Sequence, residues 1–375
     1  MHIALISVAP PYRGGISKHT SILFEKLSLK HSVKVINYSR QYPNFLFPGK
    51  TQYIEGELNQ KLGECCIDSI NPITWFKIGK QLAIRNYDLV IFRFWNPFFA
   101  PALSMIAIQI RKKSPDIKLM SLCDNILPHE NMPLERFLTR YFFQKMDGHL
   151  VQSGQTEIEL HEIIENPVYE KLFHPLYSTY PHKIDKKEAR YKLGMTDKHI
   201  ILYFGIIRKY KGFDILLRSI ASLKNKLKDF HLLAAGECYE NREKYTELIN
   251  KLDISDYITW HDRYIPDDDV AMYFSAADVA ALPYRSASQS GITQIAYYYD
   301  LPVIVTRVGG LPEVVDEGRS GFIIEPENPD ELADTLSQNM GTRNLKIMAE
   351  YIRVYKQKYS WENFVEGIER VYRRI

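Results

Sequence analysis

One stretch, Ile200–Phe213 (IILYFGIIRKYKGF), constrains the fold of this chain more than any other. An apolar run closes on Gly205, basic side chains follow at Arg208 and Lys211, and Gly212 opens the amphipathic segment FDILLRSIASL. A run apolar on both faces suits a strand of a covered parallel sheet, and a tight turn into a helix is how such a strand continues. Strand ends that feed helix N-termini carry ligands in open α/β sheets. Unpaired backbone N–H groups and the helix dipole favour an anion there, and Arg and Lys add full charges suited to phosphate. A solvated basic turn has the same local composition, so the rest of the chain has to separate the two readings.

The unit recurs. Ile3–Ser7 is a buried strand, Pro10 and Pro11 prevent helix, Gly14-Gly15 turn the chain, and Ile16, Leu23 and Leu27 line a helical face. Adjacent glycines let backbone come close to a ligand, but the pattern is not G-x-G-x-x-G, so a dinucleotide fingerprint is not supported. Further strands are predicted at 31–38, 87–92, 117–122 and 148–153, the last taken as closing the first half, with helices at 73–85, 102–112 and 133–145. The stretch 172–187 lacks periodicity and is read as a domain boundary. The second half repeats the rhythm, with strands at 200–205, 231–236, 258–261, 277–283, 301–306 and 321–324. Val308–Glu313 is read as a glycine turn opening a helix, and 345–373 as helical. The expectation is an α/β protein of two halves with the ligand site in a cleft between them.

At 375 residues the chain exceeds what one core usually supports. A net charge of +3 argues against a charge-driven nucleic-acid binder. Cys65, Cys66, Cys123 and Cys238 form no C-x-x-C pair, which fits a reduced, cytoplasmic compartment. The apolar N-terminus has no charged leader and reads as a strand. The uncharged run Phe94–Ile110 is interrupted by Asn96, Pro97, Pro101 and Gln109, and reads as a strand end and helix rather than a bilayer span. Asp124, His129 and Glu130 lie just past a strand end, where His129 or Asp124 could serve as acid/base or bind a substrate hydroxyl. Gln41–Gln52 is either a lid on the acceptor side or loop packing. Helix 133–145 carries Arg136, Arg140, Lys145, Phe137, Tyr141 and Phe142, readable as a packed surface helix or as a peripheral membrane face.

Taken in order, Gly14-Gly15, FGIIRKYKG, AAGE at Ala234–Glu237, YFSAADVAALPY, SQSGITQIAYYYDLPVIVTRVGGLPEVV and GFII resemble the retaining glycosyltransferases of family 4 (glycosyl transferases group 1). The resemblance implies the GT-B fold: an N-terminal Rossmann-like acceptor-side domain (1–178), a C-terminal nucleotide-sugar domain (179–355), and a last helix (356–375) crossing back. It implies that Gly14 and Gly15 bring backbone N–H to the donor diphosphate. Arg208 and Lys211 would neutralise the leaving nucleoside diphosphate. Gly205 and Gly236 would line the donor at strand ends, Tyr264 would flank the base, and Gln289, Ser290, Gly291 and Ile292 would meet phosphate or ribose. The family's N-terminal-domain histidine would correspond to His129 or be replaced by Asp124. No cofactor or divalent metal is implied, and the partners would be a nucleotide-sugar donor and a glycan or lipid-linked acceptor.

One departure stands out. The family's two glutamates, eight positions apart, would fall near Ala287 and Ile295, or Ser288 and Ala296, yet no Asp or Glu occurs from Arg285 to Tyr299. Sugar and ribose must then be held by neutral groups such as Gln289, Ser290, Thr293 and Gln294. This leaves open a catalytically silent nucleotide-sugar-binding or partner subunit, and, ranked lower, a sugar-nucleotide epimerase.

Overall fold

The computed structural model describes residues 1–43, 51–54, 61–127, 133–176, 179–195, 198–287 and 289–375. They form two units: residues 1–173 with 361–375, and residues 174–360.

The first unit begins with β1 (His2–Ile6), α1 (Gly15–Ser28), β2 (Ser32–Arg40), β3 (Glu64–Asp68), α2 (Pro72–Ala83) and β4 (Leu89–Phe94). There follow α3 (Ala100–Lys113), β5 (Lys118–Cys123), α4 (Pro133–Phe143), β6 (Gly148–Val151), α5 (Gly154–Ile163) and β7 (Tyr169–Lys171). The sheet is parallel, with order β3-β2-β1-β4-β5-β6-β7. Its central strands are buried on both faces, which is why β4 (LVIFRF) and β5 (KLMSLC) show no alternation of polar and apolar residues. Strand β6 is not the last of this unit, because β7 pairs beside it.

The second unit comprises α6 (Lys186–Lys192), β8 (His199–Phe204), α7 (Phe213–Leu223), β9 (Phe230–Ala235), α8 (Arg242–Lys251), β10 (Ile258–His261) and α9 (Asp267–Ala276). It continues with β11 (Val279–Leu282), α10 (Gly291–Tyr298), β12 (Val303–Thr306), β13 (Gly321–Ile324), α11 (Pro329–Asn339) and α12 (Asn344–Tyr355). The order β10-β9-β8-β11-β12-β13, all parallel, is the doubly wound 3-2-1-4-5-6 pattern. The glycine turn before Pro312 opens only a single 3-10 turn, Pro312–Val314, and not a helix.

The expected continuous helix at 345–373 is also broken. Helix α12 passes into a 3-10 turn (Lys356–Tyr359), Ser360 is extended, and α13 (Trp361–Arg374) starts afresh. The break coincides with a tyrosine cluster in which the hydroxyls of Tyr297, Tyr355 and Tyr359 all donate to Val314 O, at 3.1, 3.1 and 3.2 Å. Three of the chain's 25 tyrosines thus share a single carbonyl acceptor. Helix α13 belongs to the first unit, where Trp361 and Phe364 lie against the His19 ring of α1 at 4.8 and 5.5 Å. Among the described residues no helix is long and apolar enough to cross a membrane; the run Phe94–Ile110 is the end of β4, a 3-10 turn and α3.

Candidate active site

In each sheet the strand order reverses beside the first strand of its unit, and ligands of open α/β sheets bind at such switch points. In the second unit this is the end of β8, where Gly205, Arg208 and Lys211 lie. A 3-10 turn, Lys209–Lys211, joins β8 to α7, and Gly212 adopts a left-handed conformation (φ 66°). A Cβ on Gly212 would stand 1.9 Å from Pro283 O, so only glycine lets the β11 end close on this turn. Gly236, after β9, is equally constrained, since a Cβ there would stand 2.1 Å from Gly205 O.

Lys211 is 9% exposed. Its Nζ lies 3.3 Å from where a Gly205 Cβ would be, and 5.6 Å from the centre of the Tyr284 ring. Among the described residues no carboxylate pairs with Lys211 or Arg208; the Arg208 guanidinium sits 5.2 Å from the Tyr239 ring centre. Burial, with the charge of Arg208 added, lowers the Lys211 ammonium from the ordinary 10.5 to about 8. A buried cation with no counter-ion is costly, and an arriving anion relieves that cost.

Helix α10 lies alongside. Ile292 Cδ1 is 3.4 Å from the same Gly205 Cβ position. Ser290 caps the helix, its Oγ accepting from Ile292 N at 3.2 Å, and the Tyr284 hydroxyl is 3.5 Å from that Oγ. Gly205, Lys211, Gly236, Tyr284, Ser290 and Ile292 are thus linked through short contacts at one sheet end, and Gly291 opens the first turn of α10. Gln289 precedes the cap, and Tyr264, 40% exposed, follows β10. Where acids were expected from the resemblance, Ala287 and Ile295 are buried apolar side chains. The buried Thr293 Oγ1 and Gln294 Oε1 have no hydrogen-bond partner among the described residues.

In the first unit Gly14 has φ 111° and caps α1 without a side-chain bond; Gly15 is the first helical residue, and no acid occupies the first turn. Asn37 holds the approach to this turn. Its side chain accepts from Ala9 N and donates to Ala9 O and Pro10 O, at 3.1, 3.0 and 3.0 Å. Asp124 forms a buried bidentate pair with Arg93 (2.7 and 2.7 Å), accepts from Gln152 Nε2 at 2.9 Å, and Arg93 in turn reaches His19 Nδ1 at 2.8 Å. This network ties together the ends of β4, β5 and β6, and breaking such a buried pair typically costs about 3–5 kcal/mol. His129, Glu130 and Ser288 lie outside the described residues.

Sequence reading missed Tyr284, which lines Lys211, and Arg285, which braces the turn. Tyr284 closes the motif YFSAADVAALPY, which was read for its resemblance and not for the chemistry of its last residue. Nothing near Arg285 in sequence announces its partners.

The chain superimposes on sucrose-phosphate synthase from Thermosynechococcus elongatus with a TM-score of 0.77 at 18% identity, covering 100% of this chain and 98% of that one. Anabaena HepE, solved in complex with UDP, gives 0.75 at 15% identity and 100% coverage of both chains. Two Rossmann-like units of this kind define the GT-B fold.

Within that fold, residues 198–341 match the family model of glycosyl transferases group 1. It is 30% identical over 197 residues to D-inositol 3-phosphate glycosyltransferase of Corynebacterium urealyticum, a match covering 50% of this chain and 46% of that protein. The chain therefore spans about half the length of the inositol-phosphate relatives it matches. Over 378 residues it is 27% identical to an uncharacterized glycosyltransferase of Methanocaldococcus jannaschii, covering 100% of this chain and 99% of that one.

Proposed function

We propose that the chain is a retaining glycosyltransferase that moves a sugar from a nucleotide-diphosphate sugar to an acceptor hydroxyl. The observation that carries this reading is the buried cation Lys211, which pairs with no carboxylate among the described residues and lies beside Arg208 at the switch point of the second unit. As the bond between the sugar and the β-phosphate breaks, negative charge develops on the diphosphate. Cations already fixed in a dry site stabilise that charge without reorganising. The open first turns of α10 and α1 supply backbone N–H groups to the same kind of anion. In this reading Ser290, Gly291 and Ile292 meet phosphate or ribose, Gly205 and Gly236 let the donor approach backbone, Tyr264 flanks the base, and no metal is required. Gly14 and Gly15 are assigned the diphosphate by resemblance, and Asp124 or His129 the sugar or acceptor hydroxyl.

Lipid-linked or surface-polysaccharide acceptors fit α4. Leu134, Phe137 and Tyr141 are exposed at helical spacing, 65%, 64% and 39%, with Arg136, Arg140 and Lys145 around them, which suits peripheral contact with an anionic membrane.

The test compares transfer and hydrolysis of nucleotide sugars by wild type and Lys211→Met, with and without chelator, starting from UDP-glucose because HepE has been solved with that ligand. Equal rates for the two proteins would end the leaving-group role. A second reading, a nucleotide-sugar-binding subunit without turnover, is favoured by the acid-free stretch 285–299. Ligand-induced thermal shifts without turnover on any donor would select it.

A further inference from the structure

Arg285 makes more polar contacts than any role as a surface charge calls for. All five guanidinium N–H groups are used. Nη1 donates to Lys209 O and Asp214 Oδ1, and Nη2 to Asp214 Oδ2, at 2.8 Å each. Nη2 also reaches Glu327 Oε2 at 3.1 Å, and Nε donates to Glu327 Oε1. Its backbone N–H donates to Tyr210 O at 2.6 Å. Two consecutive carbonyls of the turn between Arg208 and Lys211 are therefore bound by this one residue. On the other side the Glu240 carboxylate accepts Lys209 N–H and the Tyr245 hydroxyl. Asp214, in the first turn of α7, is held ionised: burial raises its carboxyl, but the hydrogen bonds and charge of Arg285 outweigh burial and set it below the ordinary range.

We propose that Arg285 is a positioning residue for the donor diphosphate site, fixing the Lys209–Lys211 turn so that the Lys211 ammonium stays at Gly205 rather than swinging into water. The inference rests on the proposed reading of that site. The geometry requires arginine. A lysine at 285 keeps the charge but offers three donors from one point, and cannot bridge a carbonyl and two carboxylates at once. The groups around Lys211 are the Arg208 guanidinium on its own turn, the Tyr284 phenol, and the backbone and Ile292 side chain beside Gly205. The Lys211 charge is therefore governed by how firmly the turn keeps it buried.

The experiment titrates UDP, GDP and ADP against wild type, Lys211→Met, Arg285→Lys and Arg190→Lys, following affinity across pH 6.5–9.5 together with Tm. Arg190 forms a comparable ion pair with Asp278 away from the turn and controls for general destabilisation. Wild type is expected to bind one nucleotide with affinity falling above about pH 8. Arg285→Lys is expected to bind at least tenfold more weakly at pH 7, with its pH midpoint moved up toward that of an ordinary lysine, while Arg190→Lys keeps wild-type affinity and midpoint. An unmoved midpoint in Arg285→Lys, whatever its Tm, overturns the positioning role. So does wild-type affinity. Equal binding by wild type and Lys211→Met instead overturns the reading of the site itself, and the inference falls with it.

Discussion

Lys211 shows how a site can oppose the stability of the fold that contains it. Its ammonium has a folded value of about 8 against 10.5 when hydrated. Between those values the unfolded chain binds more protons, so the contribution of this group to stability rises as pH climbs from about 8 toward 10.5. At neutral pH the buried charge costs about 3 kcal/mol. Lys211→Met is therefore expected to raise Tm at pH 7 by roughly 3 °C or more while abolishing nucleotide binding. The Tm difference from wild type should shrink toward pH 10; a lower Tm at pH 7 would contradict the burial argument. Arg208 and Lys211 were legible in sequence because the strand, turn and helix that display them are adjacent. Arg285 was not, since its carboxylate partners lie 71 and 42 residues away and only the fold brings them together. Asp124 was legible as a residue at a strand end, but the Arg93 that binds it was hidden inside an apolar run.

At the level of elements, two loops meet at Gly212. Gly212→Ala would force a Cβ onto Pro283 O and a left-handed backbone onto alanine. The expected loss is on the order of 3 kcal/mol, read as a lower chemical-denaturation midpoint. An unchanged midpoint would mean that the β11 end does not press on this turn. Helix α4 poses a separate question. Leu134→Ser with Phe137→Ser is expected to leave Tm within about 1 °C, because both side chains are exposed. The same pair of changes should reduce co-sedimentation with anionic vesicles severalfold, and undiminished sedimentation would exclude this face. Long helices and doubly buried strands announced themselves by period and apolar run. The strands that escaped, β3 (ECCID) and β7 (YEK), are the two edges of their sheet, with intermediate or exposed positions in each. An edge strand is short and partly wet, so it lacks the continuous apolar signature of the interior.

For the molecule as a whole, the repeated α/β rhythm was readable, because each unit has its own buried sheet and core. The membership of the last helix was suggested by resemblance alone, since nothing in an amphipathic segment names the surface it covers. The contacts are close: a Cβ on Gly367 would stand 2.4 Å from Leu172 Cδ1, and one on Gly148 would stand 2.6 Å from Val371 Cγ1. Deleting residues 361–375 is expected to uncover this face, lowering the melting transition of the first unit by more than 10 °C while that of the second moves little. Coincident, unshifted transitions would show that α13 is dispensable.

The interrupted connectivity of the first unit also orders events at the ribosome. Residues 174–360 form one uninterrupted stretch that carries every strand of its own sheet. The earlier-made portion must wait, with the His19 side of α1 uncovered, until translation has delivered Trp361 and Phe364. The part synthesised first is thus the part completed last, and chains lacking residues 361–375 would present chaperones with an open apolar seam on α1.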